Sequence, residues 1–327
     1  MRKKFKWGVI APGRIAHAFA KGVLSIVDTE ISAVASSSQK RADAFAEQYD
    51  IANAYDSYEA LVADPDVDAV YISSLHHQHF AQAMLALDAG KPVLCEKPLT
   101  VNAAETKKLI EKSREKNLFL MEALWTRYLP IYGTVRQWLD DREIGDLVMM
   151  NATFGFRAPQ NPKSRLLDPN LTGGALLDIG IYPLSVSQWV MGQNPKSFQV
   201  HALLGETGVD EMIAATLVYE NGVISQFSSN IRSDNRNEFV IYGEKGHIRI
   251  HANFWGGTRA TLNVNGKEET VIADFNATGF EYQTVEAMRC IQEDLLESPK
   301  MTHADTLATM TLMDDIRAEI GLKYPFE

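Results

Sequence analysis

Short apolar runs alternate with stretches of helical periodicity in the first third of the chain. Continuous runs occupy residues 5–10, 30–35, 69–72 and 93–95, and after each one apolar residues recur every three or four positions. Strands that alternate with helices of this length predict right-handed crossovers and a parallel sheet. A fifth run at 118–121 continues the pattern, which we interpret as that of a six-stranded sheet, so residues 1–121 are predicted to form an α/β domain.

The pattern changes after residue 121, where longer runs alternate apolar with polar residues. A period of two is typical of antiparallel strands with one buried face. Two helices are expected at the end of the chain, at about 280–298 and 305–320. For the second of them, packing against the first domain is an open alternative. Residues 122–327 are therefore predicted to form a second α/β domain around a large, open, mostly antiparallel sheet. Its strands are expected at 148–156, 197–204, 211–219, 223–229, 239–242 and 261–273, with hairpin turns at Asn221-Gly222 and Asn265-Gly266.

Charge and cysteine content narrow the classes of function. The 327 residues carry 32 Lys and Arg against 42 Asp and Glu, which gives a net charge of −10. This balance argues against a broad surface for nucleic acid or for anionic membranes, and no apolar segment approaches the ~18 residues of a membrane span. The only cysteines are Cys95 and Cys290. Two cysteines make no disulfide framework, and they favour a cytoplasmic location.

A glycine turn follows the first strand and opens the first helix. Its sequence is Ala11-Pro12-Gly13-Arg14-Ile15-Ala16. Such a turn directs backbone N–H groups and a helix N-terminus at an anion, the usual position of a dinucleotide pyrophosphate. Gly13 and Ala16 match the Gly-x-Gly-x-x-Gly/Ala fingerprint, whereas Ala11 replaces its first glycine. Ala11, Gly13, Arg14 and Ile15 are therefore candidate cofactor contacts.

The end of the second strand bears on the choice between NADP and NAD. It reads Ser36-Ser37-Ser38-Gln39-Lys40-Arg41 and lacks the Asp or Glu that would bind both ribose hydroxyls of NAD. Three hydroxyls and two cations suit a 2′-phosphate, so NADP is favoured and NAD is the alternative. Under the competing interpretation, Ser38 only caps the next helix, and Lys40 and Arg41 are solvated.

Three histidines follow the strand at 69–72, in the segment Ser73-Ser74-Leu75-His76-His77-Gln78-His79. A zinc site is one interpretation. However, no Cys or carboxylate joins them at ligand spacing, and their crowding at one helix start disfavours a tetrahedral site. We therefore predict no metal, and we interpret Ser74, His76 and His79 as polar groups that line the cofactor cleft.

Two further motifs carry charge or hydroxyl groups in unusual places. The strand at 93–95 ends in Glu96-Lys97-Pro98, at the edge where parallel sheets bind ligands. In the helix around 172–183, Asp178 and Tyr182 lie four residues apart and so share a face. A surface ion pair and a capping or core role are the simpler explanations. Together, however, the motifs are those of a carbonyl-reducing site, and the polar segments 157–172 and 232–237 are long enough to form its entrance.

These motifs resemble those of the Gfo/Idh/MocA oxidoreductase family. The similar features are the turn at 13–16, Cys95-Glu96-Lys97-Pro98, and Gly173-Gly174-x-x-x-Asp178-Ile179-Gly180-x-Tyr182, in the family's order and spacing. The segments 76–79 and 121–127 look like the branch of dimeric trans-dihydrodiol dehydrogenases and NADP-dependent D-xylose 1-dehydrogenases. Ser37 departs from this branch, which often has an arginine there for the 2′-phosphate.

The resemblance implies a Rossmann domain, a C-terminal substrate-binding domain and a homodimer formed through the open sheet. It implies that Lys97 and Tyr182 flank the nicotinamide, with Asp178 nearby and with Trp125 and Phe154 lining the substrate pocket. We add Arg127 and Tyr282 as candidates for this pocket, and we expect Glu96 to position Lys97 or the ribose.

The expected chemistry is hydride transfer between the nicotinamide and a carbon that bears the reacting oxygen. An ordinary tyrosine, with a pKa of ~10, is a poor acid at neutral pH. A lysine cation ~4 Å away favours the tyrosinate by up to ~4 kcal/mol, or about three pKa units, at an effective dielectric constant of ~20. We therefore expect Tyr182 to transfer the proton and Lys97 to polarise the carbonyl, with Asp178 as the second choice of proton donor.

The substrate class stays open at this point between an aldose or sugar-derived ketone, which we favour, and a cyclic diol. A different class of protein is the alternative, namely a regulator that binds a dinucleotide without turnover. The joint presence of Lys97, Asp178 and Tyr182 argues against that alternative.

Overall fold

The computed structural model describes residues 4–327, which fold into two compact units. The first unit runs to Trp125 and also takes in Phe275–Leu307, and the second consists of Thr126–Asp274 and Ala308–Glu327. The α-helices, in chain order, are α1 Arg14–Leu24, α2 Gln39–Tyr49, α3 Tyr58–Ala63, α4 His76–Asp88, α5 Ala103–Lys116, α6 Pro130–Asp140, α7 Ile181–Met191, α8 Phe280–Gln292 and α9 His303–Ile320.

The sheet of the first unit has six parallel strands in the order β3-β2-β1-β4-β5-β6. The strand order reverses between β1 and β4, so the carboxyl ends of neighbouring strands form the crevice in which such sheets bind ligands. The strands are β1 Phe5–Ile10, β2 Thr29–Ala35, β3 Asn53–Tyr55, β4 Ala69–Ile72, β5 Val93–Glu96 and β6 Leu120–Ala123. The prediction of a parallel Rossmann sheet is confirmed.

Local sequence explains where several of these elements begin. The side chain of Asn102 accepts the N–H of Glu105 at 2.9 Å and so caps α5. The hydroxyl of Ser57 caps α3 in the same way, from the N–H of Ala60 at 3.1 Å. Strand β3 was not assigned from the sequence because its three residues are all only half-buried and show no alternation.

Helix α8 belongs to the first unit because it packs on α1. The close approach occurs at Gly22, where an added Cβ would lie 3.0 Å from the backbone nitrogen of Glu281 and 3.2 Å from the Cβ of Phe280. The sequence predicted one domain boundary, at residue 121. In the structure, residues 275–307 also belong to the first unit, so the two divisions of the chain differ.

The second unit is built on an eight-stranded sheet in the order β14-β13-β12-β11-β7-β10-β9-β8. Only the pairing of β7 with β10 is parallel among the pairings described, so the mostly antiparallel sheet is confirmed. Its strands are β7 Leu147–Gly155, β8 Ser197–Leu204, β9 Asp210–Val218, β10 Ile224–Asn230, β11 Phe239–Gly243, β12 Gly246–Ile250, β13 Arg259–Val264 and β14 Lys267–Ile272.

Three details of the second unit differ from the sequence prediction. The run at 261–273 is split into β13 and β14 by the turn at Asn265 and Gly266, where φ is 52° and 81°. Two positive φ values define the tight hairpin that an Asn-Gly pair favours. Strand β12 and helix α6 were not predicted. Within residues 4–327, no helix is long and apolar enough to cross a membrane.

Candidate functional site

The turn after β1 presents a helix N-terminus at the ligand-binding edge of the first sheet. Ala11 takes a left-handed conformation with φ of 60°, which explains why a glycine is common at this position. The hydroxyl of Ser73 donates to the carbonyls of Ile10 and Ala11 at 3.0 and 3.1 Å, so the end of β4 holds the turn in place. Gly13 then starts α1, and no side chain caps this helix among the described residues.

Gly13 provides a test of whether this turn fits a dinucleotide. A Cβ added there would meet the carbonyl oxygens of Ser73 and Ala11 at 3.8 and 3.9 Å, which are ordinary contact distances. Nothing in the described chain therefore demands a glycine at this position. A pyrophosphate that approaches the backbone N–H groups closely does demand one, so the turn fits the predicted cofactor.

The end of β2 forms a small hydroxyl and guanidinium cluster. Arg41 donates from Nε to the hydroxyl of Ser36 at 3.2 Å and from Nη2 to that of Ser37 at 2.7 Å. Ser38 lies at the N-cap of α2, but its hydroxyl makes no capping hydrogen bond in the described part of the chain. The capping interpretation of Ser38 is therefore not supported, and Ser36, Ser37 and Arg41 together offer donors that suit a phosphate.

His79 links the ends of β4 and β5. Its ring is fully buried, with Nδ1 2.9 Å from the carbonyl oxygen of Pro98 and Nε2 3.2 Å from that of Ser74. Burial lowers the pKa of His79 from 6.5 to about 4, so the ring is neutral at physiological pH and only one of its two nitrogens donates to a carbonyl. The described contacts of His79 are thus with the backbone, and they hold the segment around Lys97 against β4. The predicted contact of His79 with the cofactor stays a prediction, as does that of the neighbouring His76.

Glu96 and Lys97 end β5 at the same edge. The buried carboxylate of Glu96 accepts the hydroxyl of Tyr71 at 2.6 Å and the backbone N–H of Lys97 at 3.3 Å. Tyr71 is itself fixed by stacking on Phe19, with ring centroids 3.7 Å apart. The base of Lys97 is therefore held by a carboxylate that the core immobilises, as expected of a positioning role for Glu96.

In the second unit, Asp178 and Tyr182 lie on consecutive parts of one helical segment. Asp178 is in a π-helical turn at Leu176–Gly180, and Tyr182 is in the first turn of α7. Both side chains are buried. π-Helical turns often occur at functional sites. Each oxygen of Asp178 accepts a hydrogen bond of 3.1 Å from the guanidinium of Arg165, which belongs to the polar segment at 157–172.

The glycine pair before this helix is required by close contacts. A Cβ on Gly173 would lie 2.7 Å from the carbonyl oxygen of Leu166, and one on Gly174 would overlap Oδ1 of Asp210. Oδ2 of Asp210 accepts the N–H of Leu176 at 2.6 Å, so this buried carboxylate caps the helical segment that carries Asp178. Neither glycine could be replaced by a larger residue unless Leu166 or Asp210 moved.

The aromatic residues form two groups. In the second unit, Phe154 stacks on Trp255 with centroids 3.5 Å apart, and Tyr182 lies 5.7 Å from Phe154 and 6.4 Å from Trp255. In the first unit, Trp125 and Tyr282 both contact Phe275, at 6.2 and 6.3 Å. Of the predicted pocket residues, Phe154 thus lies in the second unit, whereas Trp125 and Tyr282 lie in the first.

Arg127 is the remaining predicted pocket residue. Its side chain is buried in the second unit, and Nε donates to the hydroxyl of Ser185 on α7 at 3.3 Å. This contact ties Arg127 to α7, the helix that carries Tyr182 in its first turn. Its predicted contact with substrate stays a prediction.

Sequence reasoning missed four residues of these arrangements, namely Arg165, Asp210, Trp255 and Tyr71. None of them carries a local signal, because Arg165 lies in a loop, Trp255 lies in a single 3-10 turn, and Asp210 and Tyr71 look like ordinary strand residues. Within residues 4–327, no group of three or more His, Cys, Asp or Glu side chains is arranged to hold a metal ion.

The first unit has a parallel sheet with a glycine turn at the point where the strand order reverses. The second unit has an open sheet and a helical segment that carries Asp178 and Tyr182. Together these features define a two-domain dinucleotide-binding oxidoreductase. Family models agree with this class. Residues 5–124 match the oxidoreductase family with an NAD-binding Rossmann fold, and residues 132–249 match the GFO/IDH/MocA C-terminal domain. The chain therefore belongs to the Gfo/Idh/MocA family.

Individual relatives cover nearly the whole chain. It is 37% identical over 331 residues to trans-1,2-dihydrobenzene-1,2-diol dehydrogenase from Xenopus tropicalis, covering 98% of this chain and 99% of that protein. It is 26% identical, with a TM-score of 0.84, to a 3-ketoreductase from Actinomadura kijaniata in complex with NADP and TDP-benzene, covering 97% and 98% of the two chains. An aldose-aldose oxidoreductase from Caulobacter crescentus shares the fold, with 22% identity, a TM-score of 0.88 and 97% coverage of both chains.

These findings establish the general activity. The protein is an NAD(P)-dependent oxidoreductase that acts on CH–OH groups. The predicted family, fold and enzyme class are confirmed.

Proposed function

We propose that the protein uses NADP to interconvert a CH–OH group and a carbonyl on a sugar or cyclic diol. The observation that carries this proposal is the edge of the first sheet. Three features follow strands whose carboxyl ends lie side by side at this edge. They are the glycine turn, the cluster of Ser36, Ser37 and Arg41, and the pair Glu96 and Lys97. This edge supplies phosphate donors at one end and a cation for a reacting oxygen at the other.

The proposed roles divide between the two units. Bound NADP(H) supplies or accepts the hydride. Tyr182 moves the proton on or off the substrate oxygen, and the ammonium of Lys97 stabilises the negative charge that develops on that oxygen. Asp178 accepts a hydrogen bond from a substrate hydroxyl and so orients the substrate.

The preference for NADP over NAD rests on Arg41. Its guanidinium already holds the hydroxyls of Ser36 and Ser37 in one cluster, and no carboxylate at the end of β2 competes for the ribose. A 2′-phosphate would receive charge-assisted hydrogen bonds there, whereas the free 2′-hydroxyl of NAD would not. The relative from A. kijaniata was crystallised with NADP, which agrees with this preference.

The aromatic residues support a ring-shaped substrate. Phe154 and Trp255 present stacked rings beside Tyr182, and such rings pack against the apolar face of a sugar or a cyclic diol. The dihydrodiol dehydrogenase and sugar oxidoreductase names of the relatives agree with either substrate, and we favour an aldose or a sugar-derived ketone.

A spectrophotometric screen tests this function. Aldoses, keto-sugars and dihydrodiols are tested with NADP(H) and with NAD(H), following absorbance of the reduced nicotinamide. Tyr182→Phe is expected to lower turnover at least ~100-fold with little change in cofactor affinity. Unchanged turnover in Tyr182→Phe, or full activity in Lys97→Ala, would remove that residue from the chemistry. Binding of NADPH with no turnover of any of these substrates would instead favour a regulator.

We also propose that the open sheet mediates a homodimer. Strand register places Leu203, Met212, Ile224 and Tyr242 on one face of this sheet, and each is more than a third exposed. Several large apolar side chains exposed on one sheet face are typical of an interface between subunits. Met212→Glu is expected to shift the mass measured by light scattering from dimer to monomer, whereas Val27→Glu on the first unit leaves the mass unchanged.

We also propose a cytoplasmic location. Cys95 and Cys290 are both free and buried, which supports it.

A further inference from the structure

Arg165 and Asp178 form a parallel ion pair that the proposed reaction has not yet used. Nη1 lies 3.1 Å from Oδ1 and Nη2 lies 3.1 Å from Oδ2. The Asp178 side chain is 9% exposed, whereas that of Arg165 is 42% exposed. A fork-to-fork pair of this kind fixes the position and the plane of the carboxylate, and it requires the ionised form.

The backbone that carries Arg165 is anchored to the base of the same helical segment. The N–H of Gly174 donates to the carbonyl of Leu166 at 2.9 Å, and the N–H of Gly173 donates to the carbonyl of Asp168 at 3.0 Å. Leu166 itself is buried. These bonds join the residue next to Arg165 to the turn that precedes Asp178, so the ion pair closes a loop whose two ends are already tied together.

We propose that Arg165 is a positioning residue for the hydride-transfer reaction, an inference that rests on the proposed function. Its guanidinium holds Asp178 as an ionised hydrogen-bond acceptor in one orientation, so Asp178 binds a substrate hydroxyl and Tyr182 alone exchanges the proton. A carboxylate that is ionised and doubly hydrogen-bonded to a guanidinium has no proton to donate.

The exposed side of Arg165 also bears on the class of substrate. A guanidinium has five N–H groups, and the pair with Asp178 uses two of them. The other three lie on a side chain that is 42% exposed, where they can donate to substrate oxygens. A carboxylate acceptor beside guanidinium donors matches adjacent hydroxyls, so the site favours a substrate with a vicinal diol over a simple alcohol or aldehyde.

The test compares the wild type with Arg165→Gln and Arg165→Lys. Gln removes the charge and the fork, and Lys keeps the charge without the fork. We expect Arg165→Gln to lower kcat/KM for a vicinal-diol substrate by ~10- to 100-fold, with Lys intermediate. Because Arg165 is half-exposed, guanidinium chloride at low concentration should partly restore the Gln variant, whereas sodium chloride at the same ionic strength should not. Two results would overturn the proposal. One is an unchanged kcat/KM in Arg165→Gln. The other is a loss of activity that neither the Lys substitution nor added guanidinium restores in part.

Arg289 provides a matched control. It is 39% exposed and pairs with the buried carboxylate of Glu286 through Nε at 3.3 Å and Nη2 at 2.9 Å, on α8. Arg289→Gln therefore removes a two-point arginine–carboxylate pair of similar exposure, together with a contact to Glu293, that the proposed chemistry does not use. This variant is expected to lose thermal stability but to keep its kcat/KM and to show no response to guanidinium.

A double-mutant cycle separates this inference from the proposed function. Thermal unfolding is measured for the wild type, Arg165→Gln, Asp178→Asn and the double variant, and this measurement needs no substrate. Non-additive midpoints show that the pair is formed in solution, and additive midpoints overturn the proposal whether or not the enzyme is active. If the wild type turns over no substrate, the proposed function fails while this cycle still decides the pairing. If the enzyme is active and Asp178→Asn alone loses as much kcat/KM as the double variant, Arg165 acts through Asp178.

Discussion

Replacing Asp210 by Asn should make the protein more stable at alkaline pH, although the change removes a helix-capping carboxylate. Asp210 begins β9 and is fully buried. Burial raises its pKa from 3.8 to about 7, and the hydrogen bond from Leu176 and the charge of Arg317 offset only part of that rise. Oδ1 has no hydrogen-bond partner among the described residues, so the ionised form is poorly stabilised.

The sign of the pH dependence follows from this raised pKa. Below about 4 the carboxyl is protonated in both the folded and the unfolded state, and its contribution to stability is fully present. As the pH rises, the unfolded state loses its proton first, so this contribution is lost progressively until the pH passes about 7. A rise of about three pH units corresponds to ~4 kcal/mol in total, of which about 2.7 kcal/mol falls between pH 5 and pH 8.

Asn keeps an oxygen that can accept the N–H of Leu176, but it does not titrate. The free energy of unfolding is therefore measured by urea denaturation at pH 5 and at pH 8 for the wild type and for Asp210→Asn. The stability of the variant relative to the wild type should rise by about 2.7 kcal/mol from pH 5 to pH 8. Any packing change caused by the amide is the same at both pH values and cancels in this comparison.

An exposed aspartate of the same unit serves as the control. Asp141 follows α6 and lies at the surface, so Asp141→Asn should show nearly the same offset from the wild type at both pH values. If the offset of Asp210→Asn is also independent of pH, burial does not raise the pKa of Asp210, and the electrostatic account of this helix start is wrong.

Three other predictions concern residues of the first unit, and one of them uses Gly133 of the second unit for comparison. The pKa of His79, lowered from 6.5 to about 4, stabilises the folded protein by up to ~3.4 kcal/mol above pH 6.5, and this stabilisation is lost as the pH falls to 4. His79→Gln should remove this pH dependence, whose sign is opposite to that of Asp210. The free energy of unfolding is measured by urea denaturation at pH 7.5 and 4.5. Gly22→Ala should destabilise by ~1–3 kcal/mol through overlap with the α8 backbone. In contrast, Gly133→Ala, with nothing within 4 Å of the new Cβ in the described chain, should stabilise α6 by up to ~1 kcal/mol, and thermal unfolding compares the two. Arg41→Ala should raise the KM for NADP at least ~10-fold while changing that for NAD little, and Lys40→Ala should change neither as much.

The sequence predicted the elements with strong local patterns and missed those without them. Strands β1, β4 and β8 have the predicted bounds, because β1 and β4 are nearly continuous apolar runs and β8 alternates over most of its length. Helix α6 was missed although Ile131, Val135 and Trp138 have helical spacing, since Gly133 and the N-terminal proline weaken that pattern. Strand β12 was missed because it is only five residues long and the Glu244-Lys245 turn that joins it to β11 lacks the Asn-Gly signature of a tight hairpin.

The sequence by itself determined the fold class, the family motifs and the cofactor edge, because these depend on periodicity and on residues adjacent in the chain. Glu96 and Lys97 end a strand, and in a parallel sheet that alone places them at the ligand-binding edge. Only the tertiary structure decided that Arg165 pairs with Asp178, that Asp210 caps the helix start, and that Trp255 stacks on Phe154. Those partners come from separate segments whose side chains meet only after loops and strands have packed, so no local pattern could have shown that they are neighbours.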